Sequence, residues 1–315
     1  MGVLAIVVAV FAFYPSNYYI YLPDRARVLE PVVHVEGEHD RPGDGGIYMV
    51  DVIIRKASLL ERYFPGLHDG ATLVPAHVYN PEDLPARIVR QQSLAEMSES
   101  QKTAAAVALR ELGYEVQSDG VEVSAVDVGA PADGVLKPGD VIVGAQGKDV
   151  ADPEDLTRVM SGLDPGDEVT LEIERGSVEQ TVRVGTKASD DQPPRALMGI
   201  VIEPKLVLPV EIRIDTGNIG GPSAGLAFAL DIIDELGPTD IDRGERVVAT
   251  GQIAIDGSVH EIGGVKQKTL GAREAGADVF LVPDGNAATA RKYADGLRIV
   301  PVSSLDEALH ALATR

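Results

Sequence analysis

The sequence predicts an α/β (α+β) protein with a small β-rich module inserted into it and an apolar segment at its N-terminus. Three observations carry that prediction. From about residue 198 onward, β-branched runs alternate with stretches of helical periodicity. Between about 120 and 187 the texture changes to short strands separated by tight turns, with one helix after Asp152-Pro153. The first 22 residues, MGVLAIVVAVFAFYPSNYYIYL, carry no charge.

The composition agrees. A chain of 315 residues is long enough for about two domains. Apolar residues make up 44% but aromatics only 4%, with no Trp, so the core is aliphatic, which suits sheets covered by helices. A formal charge of −21 argues against a broad basic face for nucleic acid or an anionic membrane. The absence of cysteine excludes disulfides, thiol nucleophiles and cysteine zinc sites.

Taken in order, residues 1–22 are expected to form a transmembrane anchor or uncleaved signal. Residues 2–22 are just long enough to span a bilayer, with Tyr14, Tyr18, Tyr19 and Tyr21 at the interface. Pro15 shortens the clean apolar run, and no small-x-small cleavage site follows. Arg25 and Arg27 come after the segment and no Lys or Arg precedes it, so the charge rule alone points away from export.

Residues 23–115 are expected to pack with the domain that follows the module. GGIYMVDVIIRK (45–56) reads as one strand, and SESQKTAAAVALRELG (98–113) as a helix with a Ser98…Gln101 capping box and Gly113 as its stop. Pro65, Pro75, Pro81 and Pro85 mark the interval as loop and short helix. The polar cluster of His34, Glu36, Glu38, His39 and Asp40 reads as a loop or hairpin rather than a metal site.

The module, residues 116–187, contains GAPADGVLKPGDVIVGAQGKDV, which resembles the centre of a bacterial PDZ domain. The resemblance implies a groove for peptide ends. By strand addition, Gly120–Val123 would offer free backbone groups to a peptide, and the helix after Asp152 would form the other wall. ASDDQPPRA (188–196) reads as a linker.

The last domain, 195–315, is expected to run through strands MGIVIEP and VLPVEIRI and then a helix from Ser223 to Leu236, stopped by Gly237-Pro238. A hairpin turning at Asp256-Gly257 and a helix from about Val265 follow. Strand DVFLVP, a helix near 286–294, strand LRIVPV and a helix capped by Ser304 and Glu307 complete it.

Its chemistry turns on NIGGPSAGLAFALDIID (218–234). Ser223 fits three readings. As a G-x-S-x-G elbow it needs a strand running straight into it and a downstream histidine, but GNIGG interrupts any strand and only His260 and His310 follow. As a helix start it is ordinary chemistry. As a nucleophile paired with lysine, it needs an amine whose pKa falls from about 10.4 towards roughly 7–8, at roughly 4 kcal/mol for three units. IGGVKQKTLGAREAGA (262–277) supplies a candidate: in a helix from Val265, Lys268 shares a face with Val265, Ala272 and Ala275, whereas Lys266 points about 200° away.

GGPSAGLAFALDI followed by ATGQIAIDGSVHEIGGVKQKTLGAREAGADVFLVP resembles the proteolytic domain of the Lon family, peptidase family S16. The resemblance implies a Ser–Lys dyad of Ser223 and Lys268, with Thr250 supporting the lysine. Two positions depart from the family pattern: Gly220 stands where an acid is usual, and Gln252 follows Thr250-Gly251 where a glutamate is usual. No phosphate-loop G-x-x-x-x-G-K-[ST] occurs, and no S-x-x-K.

Together these features resemble the bacterial membrane-anchored PDZ-containing Lon-like proteases. That implies an ATP-independent serine endopeptidase without cofactor or metal, membrane-anchored and facing the extracytoplasmic side. Its partners would be polypeptide substrates, with a ring-like homo-oligomer by resemblance and no nucleic acid. The alternative is a PDZ adaptor whose Lon-like domain is an inactive scaffold.

Overall fold

The computed structural model describes residues 11–35, 45–189 and 191–314. The chain divides into two compact units, Met1–Tyr114 with Val210–Arg315, and Glu115–Pro209.

The first unit is built on a five-stranded sheet in the order Arg27–Val28, Gly46–Met49, Arg246–Ala249, Val279–Pro283, Arg298–Val302. The last four strands are parallel and Arg27–Val28 runs antiparallel at one edge. Val279–Pro283 is buried at every position, as a parallel strand covered on both faces must be, which is why it reads as an unbroken apolar run. Helix Val265–Glu274 packs Val265, Ala272 and the following Ala275 against Val248, Phe280 and Val282. Helix Gly225–Leu236 is buried from Gly225 to Glu235. It lies beside a helix of 26 residues, Ala86–Glu111.

A second, three-stranded antiparallel sheet has the order Val52–Ser58, Pro15–Pro23, Thr72–Pro75. This corrects the expected anchor. Residues 15–22 are a strand of the folded unit, with Ser16 and Ile20 turned inward and Tyr19 and Tyr21 in ring contact with Tyr79. Tyr and Ile are strand formers and Pro15 is disfavoured in a helix interior, and the tyrosines that would suit a membrane interface pair into a sheet instead. Among the described residues no helix is long and apolar enough to cross a membrane. Residues 1–10 of the expected anchor lie outside the described residues.

Two further expectations change. GGIYMVDVIIRK is two strands, because the chain leaves the central sheet after Met49 and enters the second sheet at Val52. The helix expected at 98–113 begins at Ala86, with Pro85 at its N-cap, so Ser98 and Gln101 lie inside it rather than capping it. Its end falls where expected, with Gly113 at φ +84°. His34 sits in strand Val33–Val35, paired with Ile212–Ile214, while Glu36, Glu38, His39 and Asp40 lie outside the described residues.

The second unit is a sheet in the order Val178–Gly185, Glu168–Arg175, Asp140–Ala145, Gln117–Val126, Ile200–Val207, with Lys148–Asp149 hairpinned onto Asp140–Ala145. Helix Pro153–Met160, capped by Asp152, seats Leu156 in a core of Val121, Ile142, Leu171 and Val184. Strand MGIVIEP therefore belongs to this unit, which runs to Pro209, and the expected linker lies within it, with Lys187–Ala188 pairing Ala196–Leu197. Gly120–Val123 is not a free edge: Val121 pairs with Ile142 on one side and with Pro204 on the other. The edges are Ile200–Val207 and Val178–Gly185.

Candidate active site

Ser223 stands two residues before helix Gly225–Leu236, at the end of a turn opened by Gly221 at φ +91°. Its carbonyl oxygen accepts from the Thr250 hydroxyl and from the Gly251 amide, both at 2.9 Å. Gly251 in turn accepts from the Leu226 amide at 3.1 Å, so the Thr250-Gly251 pair clamps the serine turn on both sides. Gly251 has φ +155°, and a Cβ there would lie 2.5 Å from Val259, so this clamp requires glycine.

The long helix buttresses the same turn. Ser100 donates its hydroxyl to the Pro222 carbonyl at 3.0 Å, and the Gly221 amide donates to the Ser93 carbonyl at 2.7 Å. Gly220 has its reason here: a Cβ at that position would fall 2.3 Å from the Ser93 hydroxyl and 3.0 Å from its carbonyl. The acid usual there has no room in this chain.

Lys268 is 3% exposed. Its amine lies 3.0 Å from Ser223 Oγ and donates to the Val50 carbonyl at 2.5 Å. Burial pulls the amine down to about 8, against the opposing pull of the nearby Asp51 carboxylate. Asp51 itself is raised, first by burial and then by the negative charge of Asp24. Lys266 faces elsewhere, donating to the Ala71 carbonyl at 3.0 Å and lying 5.5 Å from the Tyr293 ring centre.

The fold thus brings together Ser223 and Lys268, 45 residues apart in sequence. Thr250 joins them, but its hydroxyl bonds to the serine main chain rather than to the lysine expected from the resemblance. His260, on a short hairpin strand opposite Gln252, and His310, on the terminal helix, do not line the cavity that holds Ser223 and Lys268. That cavity measures about 830 Å³. Sequence reasoning missed Val50, Asp51, Ser93 and Ser100. All four come from residues more than 120 positions before their partners, and nothing local to them signals the contact. Among the described residues no group of acids and histidines is placed to hold a metal.

Comparison with known proteins identifies the two domains. Residues 208–315 match the Lon protease (S16) C-terminal proteolytic domain, and residues 107–186 match the PDZ domain. The Lon protease of Chloroflexus aggregans is 35% identical over 112 residues, covering 34% of this chain and 13% of that protein. The Lon protease of Azorhizobium caulinodans is 42% identical over 94 residues, covering 29% and 11%. Lon protease 2 of Bacillus subtilis is 37% identical over 91 residues, covering 29% and 16%. The matched part of the chain therefore spans only 11% to 16% of the length of these relatives. Among solved structures, the PDZ domain of an SdrC-like protein from Listeria innocua is 24% identical, covering 27% of this chain and 94% of that one at a TM-score of 0.25. Its counterpart from Listeria monocytogenes is 25% identical, covering 28% and 93% at a TM-score of 0.26. The chain thus carries a PDZ domain followed by the C-terminal proteolytic domain of the Lon (S16) proteases.

Proposed function

We propose that the chain is an ATP-independent serine endopeptidase in which Ser223 attacks the peptide carbonyl and Lys268 acts as its base. The observation that supports this most directly is the 3.0 Å separation of Lys268 Nζ from Ser223 Oγ in a buried setting that draws the amine to about 8. The neutral amine takes the hydroxyl proton as the Oγ–carbon bond forms. The resulting ammonium returns it to the leaving nitrogen as the carbon–nitrogen bond breaks. A water, deprotonated by the same amine, then hydrolyses the acyl-enzyme. Amides of Ser223 and Ala224, at the positive end of the following helix, are suited to receive the oxyanion. None of these steps consumes a nucleotide.

The PDZ unit supports capture of exposed polypeptide ends. Its open strand edge beside helix Pro153–Met160 is Ile200–Val207, so a peptide would add there as a further strand rather than at Gly120–Val123. Because both units belong to one covalent chain, a peptide held by the PDZ unit has a raised effective concentration for the other unit.

The test is cleavage of an unfolded polypeptide by the full chain without ATP. Ser223→Ala and Lys268→Ala are expected to lose activity by at least about 1,000-fold, and Lys266→Ala to keep it. Equal inertness of the wild type and both dyad variants, with peptide binding intact, would favour the adaptor reading instead.

A further inference from the structure

Among the described residues, the strand that follows Asp51 has no partner on its outer side. Val52–Ser58 pairs with Pro15–Pro23 along one edge only, and its other edge is open among the described residues. Ile53 and Ile54 are 44% and 39% exposed. An exposed apolar edge is a template for another chain and is ordinarily blunted or covered. This edge opens into the cavity that holds Ser223 and Lys268.

The register defines what an added strand would meet. Ile54 lies opposite Tyr21 and Lys56 opposite Tyr19, so these four side chains share one face of the sheet. Tyr79, at the end of helix Ala76–Tyr79, packs tilted against Tyr19 at 4.1 Å between ring centres and meets Tyr21 edge-on at 6.3 Å. Tyr19, Tyr21, Tyr79 and Ile54 all line the same cavity as Ser223. None of them falls in the part of the chain that matches the Lon proteolytic domain. Val52 abuts Gly264, the residue that opens the Lys268 helix, where an added Cβ would lie 2.7 Å from the valine. With a strand rise of about 3.4 Å per residue, Ile54 lies about 7 Å further from the dyad.

We propose that the open edge of Val52–Lys56 takes the substrate backbone as an added strand, and that Tyr19, Tyr21 and Tyr79 form a subsite selecting a large apolar side chain two to three residues from the cut. This rests on the Ser223–Lys268 reading. The occupant is an extended polypeptide because open backbone groups and the nucleophile share one cavity. Only an extended segment offers both a strand edge and an accessible peptide bond.

The experiment uses the full chain and C-terminally amidated peptides, which lack the carboxylate end that a PDZ groove captures. Phe, Leu, Gly or Asp is placed at each position in turn. One position is expected to show a Phe-over-Gly preference of about tenfold in kcat/KM, carried by KM. Tyr79→Ala should reduce that ratio below about twofold and Tyr79→Phe should keep it. N-methylation of a backbone amide facing the edge should weaken binding by about tenfold. The same peptides are titrated by fluorescence anisotropy against Ser223→Ala. If cleavage fails throughout but the binding ratio follows Tyr79, the dyad reading falls and the subsite stands. A ratio absent from both readouts, or unchanged in Tyr79→Ala, overturns the subsite. So does a dimer in sedimentation that dissociates in Ile54→Lys, since the edge would then belong to a second copy.

Discussion

Lys268 donates to the main-chain oxygen of Val50 at 2.5 Å, and this second bond aims its nitrogen at Ser223. An amine on a four-carbon stem is ordinarily free to rotate. Anchored on a carbonyl, one N–H is committed and the nitrogen approaches the serine hydroxyl from a fixed direction.

Because the base acts only when neutral, kcat/KM is expected to rise with pH through about 8 and level off above it. A pH–rate profile on a short peptide checks this. Lys268→Arg should be inactive across the range, since a guanidinium keeps its proton.

The same burial sets a stability dependence that runs in the same direction with pH. The amine falls from 10.5 in the unfolded chain to about 8 in the fold, so the unfolded state binds more protons between those values. Stability should therefore rise with pH through that window, by up to about 3 kcal/mol. Lys268→Met should abolish that rise and stabilise the chain by about 2 kcal/mol at pH 7, while removing hydrolysis. Urea unfolding at pH 7 and pH 10 measures both.

Thr250 and Gly220 act on the serine through its turn. Thr250→Val removes one of two donors to the Ser223 carbonyl and is expected to lower kcat about tenfold with little change in KM, at about 1 kcal/mol of stability. Thr250→Ser should retain most activity. Gly220→Asp drives a side chain into Ser93, so it should impair kcat and destabilise rather than restore a family feature. Steady-state kinetics with thermal unfolding separates the two effects.

In the PDZ unit, Arg175 holds the buried Asp140 through Nε and a second guanidinium nitrogen, each at 2.7 Å, and keeps its carboxyl below the usual range. Asp140→Ala is expected to destabilise that unit, because it removes the buried carboxylate that accepts from the partly exposed Arg175 guanidinium and from the Lys137 amide. Since the folded pKa is depressed, this contribution is present above the ordinary carboxylate value and lost as pH falls below it. Hydrogen exchange confined to residues 115–209 reports it without interference from the other unit.

The sequence and the structure meet most closely where function is local. Lys268 is legible because its helix face repeats over Val265, Ala272 and Ala275, and the Asp152 cap is legible because Asp-Pro announces a helix start. What failed was long-range. Tyr18 to Leu22 suits a membrane interface and a strand equally, and only pairing with Val52–Ser58 and Thr72–Pro75 decides it. Gly120–Val123 suits a peptide edge until Ile200–Val207 covers it from 80 residues downstream. Ser100 carries no sign that its hydroxyl will hold Pro222, 122 residues away.

Gly46–Met49 lies in parallel register with Arg246–Ala249, and this fixes an order of events during synthesis. Ser223 is made before Lys268, and both are made long after the Val50 oxygen to which Lys268 donates. The contiguous PDZ unit can form on the emerging chain, whereas the central sheet must wait for its later strands. A nascent chain therefore holds a serine with nothing to activate it. In the proposed mechanism, translation itself keeps Ser223 unarmed beside the chain's own unfolded sequence.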